Sequence, residues 1–542
     1  MKKSILYILL IFTILFISCN CESSKKLKDY VIYDGVLYCY LGEDTTVEIP
    51  SYYYQDGKKT KITKISERAF SDTCVKNVIL GRYIEIIDDY AFYDSDITSI
   101  KLNKNVKSIG EKAFYNIGIK FLNGDNNDLS KCINLENIGT YAFGNGIEGL
   151  ILPEGIDCIS LLSDSRTIVP SYCNVYKNGF YIGTKDNPYE YLVGYMNKND
   201  FYLHIDAKKI YNECPNEIII EENANYKKVN GSIYEVSNNK LVYAEFEDNT
   251  ELVLDETVKI IGTLSYNGFD VNERYKSITI PDNVETLEKR IINMAGFGIK
   301  AFVDKVFIGK NVKEIHPETF NNIFVNEYIV SDDNPYYKSI DGVIYSKDGK
   351  VLIKAPDLRE GEELTIIDGC EKINDYALIY NRYETINFPD TLVEVGDYAV
   401  AYSHNLKKIN QKTPLKKLGE GSFLGGLFEK VELDDSIKIL PKGVFYLCSK
   451  LHDINLPNEL VFISARALDS IDCKSINLPD SVECIMRRGI VVVDSTVTIG
   501  ANVRFIHNEQ FGYNSKIIIS NENKNYYVDN NMVYQKKDEW WI

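Results

Sequence analysis

The sequence predicts a β-rich solenoid, and three observations predict it. A short apolar motif returns every 22–23 residues over most of the chain. Upstream of each copy, apolar and polar residues alternate with strand period and then stop at a proline. Asp-Gly pairs flanked by β-rich runs mark hairpins between blocks of repeats. The chain has 542 residues, 45% of them hydrophobic and 26% charged, which describes a folded chain. Its formal charge of −17 argues against nucleic acid, whose binding rests on Lys and Arg neutralising phosphates. Tyr is abundant at 40 copies. His is scarce at 5, which leaves little material for His-based catalysis or metal binding.

The repeat begins with Ile65-Ser66-Glu67-Arg68-Ala69-Phe70. It returns as Ile87-Asp88-Asp89-Tyr90-Ala91-Phe92, as Ile109-Gly110-Glu111-Lys112-Ala113-Phe114 and, after a longer insert, as Ile138-Gly139-Thr140-Tyr141-Ala142-Phe143. In the second half Leu378, Val400, Phe423, Phe445, Leu468, Ile490 and Phe511 occupy the Phe slot at nearly constant spacing. The upstream strand reads Ile278-Thr279-Ile280-Pro281, Ile386-Asn387-Phe388-Pro389, Ile454-Asn455-Leu456-Pro457 and Ile476-Asn477-Leu478-Pro479. Each unit is therefore a short strand, a turn, and a compact apolar turn ending in the Ala-Phe slot. No unit buries its apolar side alone, and stacking neighbours gives one continuous core. Hairpins are expected at Tyr33-Asp34-Gly35-Val36, Asn178-Gly179, Asn230-Gly231, Asp341-Gly342 and, more weakly, Asp529-Asn530-Asn531-Met532.

The pattern Ile-x-Leu-Pro-x-x-Val-x-x-Ile-x-x-x-Ala-Phe resembles the BspA-like, or Treponema-type, leucine-rich repeat. That resemblance implies a parallel β solenoid with short strands on a concave face, interrupted by β-hairpin inserts. It divides the chain into a lipoprotein signal peptide at 1–18, an N-terminal linker and first hairpin at 19–46, and leucine-rich repeats at 47–172. Irregular hairpin inserts follow at 173–250, then repeats at 251–520 with a hairpin near 334–356, and a terminal hairpin at 521–542. One elongated domain is expected, with a break or bend at 160–250.

The first residues carry an address. Met1-Lys2-Lys3 is basic and Ser4–Ile17 is largely apolar, too short to span a bilayer and long enough for a signal segment. Leu15-Phe16-Ile17-Ser18-Cys19 resembles a bacterial lipobox, which implies acylation of Cys19. Phe16 departs from the usual residue, and the alternative is an ordinary secretory signal. The expected location is the cell envelope, at the outer surface, with the membrane reached through the lipid anchor only.

The remaining motifs read as structure. Gly419-Glu420-Gly421-Ser422-Phe423 misses the spacing of a phosphate loop and contains a repeat slot. Asp125-Asn126-Asn127-Asp128 lacks the glycine and glutamate of a calcium loop. Cys74, Cys132, Cys448 and Cys473 follow or adjoin the Phe slot, where buried thiols are expected. Cys158 with Cys173, or Cys473 with Cys484, are the open disulfide possibilities. No catalytic signature, metal site or cofactor is expected.

The resemblance implies adhesion, with proteins of a host matrix or of other bacterial surfaces as partners. An envelope scaffold for the cell's own proteins, or a module for surface glycans built on the Tyr-rich inserts, are the competing readings. Within each strand the residue between two apolar ones points away from the core. Read along the chain, these outward residues form a row: Ile79, Lys101, Ile151, Val253, Thr279 and Phe307, then Asn387, Glu432, Asn455 and Asn477. The first six are the candidate partner-binding residues, because exposed apolar surface marks interaction sites.

Overall fold

Parallel β-ladders stack the repeats within each unit of the computed structural model. It describes residues 29–115 except 56 and 72, then 121–122, 129–139 and 141–143, and the strands between 173 and 219. It further describes 225–245 except 230–231, then 257–267, 274–291, and 301–536 except 322, 360–362 and 508–510. The chain divides into two compact units, Met1–Asn225 and Tyr226–Ile542. No helix occurs among the described residues.

In the first unit the longer-stranded ladder runs through Thr46–Glu48, Asn77–Ile79, Ser99–Lys101 and Phe121–Leu122, all parallel. The middle residues Val47, Val78 and Ile100 are buried, and their neighbours on either side face out, as strand alternation requires. A second parallel ladder joins Lys64–Ile65, Ile86–Ile87, Ser108–Ile109 and Asn137–Ile138. The repeat therefore holds two strands, where the sequence pattern shows one. The second strand is only two residues long, too short to display an alternation.

The core lies between the ladders. Phe70, Phe92, Phe114 and Phe143 stack in a column, with ring centroids 4.9, 5.0 and 5.6 Å apart. The Ala-Phe turn is itself a ladder: the amide of Phe70 donates to Ala91, that of Phe92 to Ala113, and that of Phe445 to Ala467. The residue before the Ala, or before Gly489 in its place, takes a left-handed backbone: Arg68, Tyr90, Lys112, Tyr141, Tyr376, Tyr398, Arg466 and Arg488 all have φ between 49° and 57°. That conformation is uncommon for residues with a Cβ. Stacking across rungs offsets its cost here: Arg68 lies over the Tyr90 ring at 5.2 Å, and Tyr376 stacks on Tyr398 at 5.5 Å. Gly421 fills the same slot at φ 56°, Ser422 replaces the Ala and Phe423 is fully buried, so the Gly-rich run is a repeat turn.

The hairpins begin ladders. Tyr30–Tyr33 pairs antiparallel with Val36–Tyr40, which then pairs parallel with Lys64–Ile65. In the second unit Tyr226–Val229, Ser232–Glu235 and Lys240–Glu245 lead into Ile260–Asn267 in the same way. So do Tyr337–Ile340, Val343–Ser346 and Val351–Lys354 into Lys372–Ile373. The turns Asp34-Gly35, Asp341-Gly342 and Asn530-Asn531 place both central residues at positive φ, the geometry that matches strand twist. Tyr526–Asp529 and Met532–Gln535 form the terminal hairpin. There the Tyr526 hydroxyl accepts the Ile506 amide at 3.0 Å, covering the edge of the last short-stranded ladder.

Two buried asparagines fasten these hairpins. Asn334 donates to the carbonyls of Gly309 and Val312, both at 2.9 Å, and accepts the amides of Tyr336 and Tyr337, both at 2.8 Å. Asn523 repeats the arrangement with Gly500 at 2.9 Å, Val503 at 3.0 Å, and the amides of Asn525 and Tyr526 at 2.8 Å. A backbone that leaves the repeat needs its last carbonyls and first amides satisfied, and one amide side chain satisfies four groups.

Cys132, Cys448 and Cys473 are buried, and burial pushes the Cys448 thiol up to about 12. Cys473 and Cys484 are free thiols. Cys74 is exposed, against expectation. The chain beside it at 41–45 is no full repeat turn, and Cys74 reaches only the Glu43 carbonyl at 3.3 Å.

Candidate functional site

Within each unit, described residues of the outward row face away from the core as the alternation requires. Ile79 is 41% exposed and stands between Glu48 and Lys101 in register, both exposed. In the second unit Thr279, Phe307 and Ile329 are paired across the strands Arg274–Ile280, Ala301–Ile308 and Ile323–Val330. Thr279 is exposed. Phe307 faces the same way but is half-buried, because a long strand flanks it on each side. Ile151 and Val253 lie outside the described residues, as do Cys19 and Asp125–Asp128. The structure thus places Ile79 with Lys101, and Thr279 with Phe307, in adjacent rungs of one face within each unit.

The row continues through Thr365, Asn387 and Asn410, in register across Glu363–Thr365, Thr385–Asn387 and Lys408–Asn410. Here the side chains bond to one another: Asn410 donates to Asn387 at 2.6 Å and Asn387 to Thr365 at 2.8 Å. The ladder then breaks. Between Lys408–Asn410 and Lys430–Val431 one isolated bridge remains, Leu415 to Leu433. Gln411 spans the gap, donating to the Glu432 carbonyl at 2.8 Å and accepting the Glu432 amide at 3.1 Å, so a side-chain amide stands in for a strand's peptide group.

The break opens a depression of about 910 Å3 lined by Asn387, Asn410, Gln411, Lys407, Lys430 and Glu432, among others. Glu432 and Asp453 sit 3.0 and 3.4 Å from Lys430 and hold its ammonium above the ordinary lysine range, the Glu432 hydrogen bond contributing most. A second depression, of about 740 Å3, is lined by Asn455 and Asn477 with His452, Asp453 and Ser475. Sequence reasoning assigned these asparagines to the row and missed the depressions. The signal was present: the rung at Asn410-Gln411-Lys412-Thr413-Pro414 departs from the Ile-x-Leu-Pro strand ending.

Several tyrosines of the hairpins are structural. Tyr30, Tyr226, Tyr234, Tyr345 and Tyr526 are buried, which removes them from any sugar-stacking surface. Tyr54, Tyr336, Tyr527 and Tyr534 are exposed. Among the described residues, no group of three or more His, Cys, Asp or Glu is placed to hold a metal ion.

Comparison with protein families matches the BspA-type leucine-rich repeat region, in 6 copies, over residues 63–162, 239–334 and 371–488. No curated protein matches. Among solved structures the chain is similar to a leucine-rich repeat protein from Eubacterium ventriosum, at 14% identity and a TM-score of 0.31, covering 85% of this chain and 91% of that one. It is similar to a leucine-rich cell surface protein from Faecalibacterium prausnitzii, at 16% identity and a TM-score of 0.27, covering 89% and 92%. The pneumococcal vaccine antigen PcpA shares 14% identity at a TM-score of 0.22, covering 91% and 85%.

Proposed function

Because the chain belongs to the BspA-type leucine-rich repeat family, we propose that it is an envelope-anchored, adhesin-type surface protein that binds macromolecular partners on the outward row of its longer strands. Repeat solenoids offer extended faces to proteins. The observation that carries the reading is the row itself. Ile79 in the first unit and Phe307 in the second each face outward on a strand whose inner side is already filled, by Val78 and Val306 respectively, so their outward placement serves no packing of the core.

Host matrix proteins and the surface proteins of other bacteria are the partners proposed. The test is a pull-down by the secreted portion of the chain against matrix proteins and against the cell's own envelope extract. Capture from the matrix set, with protease accessibility on intact cells, supports the adhesin reading. Capture from the envelope extract alone, on a protein shielded from protease, supports the scaffold instead. The amide-lined depression at Asn387, Asn410 and Gln411 favours a glycan as the second reading, since amides and carboxylates suit hydroxyl-rich ligands. A glycan array tests it.

The anchor is proposed at Cys19. Cys19→Ala is expected to move the protein from the membrane to the soluble fraction and to abolish acyl labelling. Unchanged detergent partitioning would contradict the proposal.

A further inference from the structure

A basic hairpin stands out on this acidic chain. Strands Tyr52–Gln55 and Lys58–Lys61 pair antiparallel, with Tyr52 opposite Lys61 and Tyr54 opposite Lys59. Directly paired residues share a face, so Tyr52, Tyr54, Lys59 and Lys61 lie together. The other face is fixed: Tyr53 is buried in the core and its hydroxyl accepts the Gly35 amide at 3.0 Å. The next rung adds Arg82 and Tyr83. The hydroxyl of Tyr52 donates to that of Tyr83 at 2.6 Å. Lys59 lies 4.1 Å from the Tyr52 ring centroid, and Lys61 and Arg82 lie 4.7 and 5.7 Å from that of Tyr83. The Tyr83 phenol is held below its ordinary range, first by the Tyr52 hydrogen bond and then by Arg82, Lys61 and Lys59.

The charges are unmatched. Many cations elsewhere pair with acids in the adjacent rung, as Lys107 with Glu85, Lys313 with Glu285 and Lys372 with Glu394, at 2.8 to 2.9 Å. Among the described residues Lys58, Lys59, Lys61 and Arg82 form no ion pair, and all four are exposed. The tip projects, with open space around Gly57 and Tyr54 68% exposed.

The position selects the ligand. The hairpin packs on the turn of the edge strands Tyr30–Tyr33 and Val36–Tyr40, with the Asp34 amide donating to Gln55 at 2.9 Å. It sits at the end where the chain enters the ladder. From Cys19 to Asp29 the chain can reach at most about 35 Å, so an anchor at Cys19 keeps this end near the bilayer. We propose that the Tyr52–Lys61 hairpin with Arg82 and Tyr83 docks on anionic phospholipid headgroups of the anchoring leaflet and orients the solenoid on it, an inference that rests on the lipid-anchored reading above. Lysine stems and tyrosine rings suit the headgroup layer, where an apolar body and a polar tip are both satisfied. The cations over Tyr52 and Tyr83 occupy ring faces that a stacked sugar would need, which favours headgroups over a glycan.

The test uses the secreted chain with Cys19→Ala, so that no acyl chain contributes, and co-sedimentation with vesicles. Binding is expected to vesicles of phosphatidylglycerol mixed with phosphatidylcholine, with none to phosphatidylcholine alone. It should disappear near 1 M salt, where screening acts over about 3 Å. Replacing three cations together, Lys59→Gln, Lys61→Gln and Arg82→Gln, should lower the partition coefficient about a hundredfold, at about 1 kcal/mol per cation. The melting temperature should hold, because all three are exposed. A matched triple of exposed lysines elsewhere, Lys416→Gln, Lys450→Gln and Lys516→Gln, should change nothing. Equal binding to neutral vesicles, an unaffected hairpin variant, or capture by heparin in place of vesicles would overturn the proposal. Acyl labelling at Cys19 tests the anchor independently, so the two failures are distinguishable.

Discussion

Phe445→Ala is expected to destabilise the second unit by about 3–5 kcal/mol, the usual cost of deleting a packed aromatic ring. The ring is fully buried and stacks on Phe423 at 5.7 Å. Its loss leaves a hole in the stacked slot, and neighbouring rungs cannot close on it without breaking the backbone hydrogen bonds from Phe445 to Ala467 and from Phe423 to Val444 that set their spacing. Because each repeat is held by its neighbours, the damage should spread to the rungs on either side. Lys442→Ala, three residues away, removes a surface ion pair with Glu420 at 3.5 Å and should cost no more than about 1 kcal/mol. Urea unfolding of the two variants checks the pair. Equal midpoints would refute the assignment of the Phe slot to the core.

Asn334→Ala should cost about 3 kcal/mol or more, although it removes few atoms. Asn334 is fully buried, and the truncation strands the carbonyls of Gly309 and Val312 and the amides of Tyr336 and Tyr337. Unsatisfied buried groups cost about 1–3 kcal/mol each, and partial relaxation toward solvent lowers the sum. Asn334→Asp is informative beside it. It keeps the acceptor for the two amides, yet as a carboxylate it turns a second oxygen toward two carbonyls. Its folded-state pKa should therefore be raised, and its stability should be greatest at low pH and fall as pH rises through that pKa. Hydrogen exchange at Tyr336 and Tyr337 reads the loosening directly. Full protection in the Ala variant would contradict the role given to Asn334.

The longer strand of the repeat and the Phe slot were legible because each follows a simple rule. Alternation around Val78 or Ile386 needs three residues to show, and the Phe column needs only constant spacing. The second ladder was not legible, since a pair such as Ile86–Ile87 carries no alternation. The left-handed slot was hidden for another reason: Tyr90, Lys112 and Arg466 are not the residues that usually signal positive φ, and only stacking between rungs makes them acceptable. The role of Asn334 and Asn523 carried no local sequence signal, because the carbonyls they bond lie 22–25 and 20–23 residues upstream. For the candidate site, direction was readable and exposure was not. Ile79 and Phe307 both face outward, but the strand lengths that half-cover Phe307 exceed what the repeat pattern specifies.

The central claim is that one face of the longer strands carries the partner while the opposite face carries the fold. Asp at Ile79 and Phe307, separately and together, tests this against Asp at Asn455 and Asn477, with partner affinity and melting temperature measured on every variant. The account predicts that the Ile79 and Phe307 variants lose binding and keep their melting transition, and that the Asn455 and Asn477 variants keep both. Unfolding of the first pair would make those residues core. Loss of binding in the second pair alone would place the partner in the polar depression lined by Asn455 and Asn477, and either result contradicts the account.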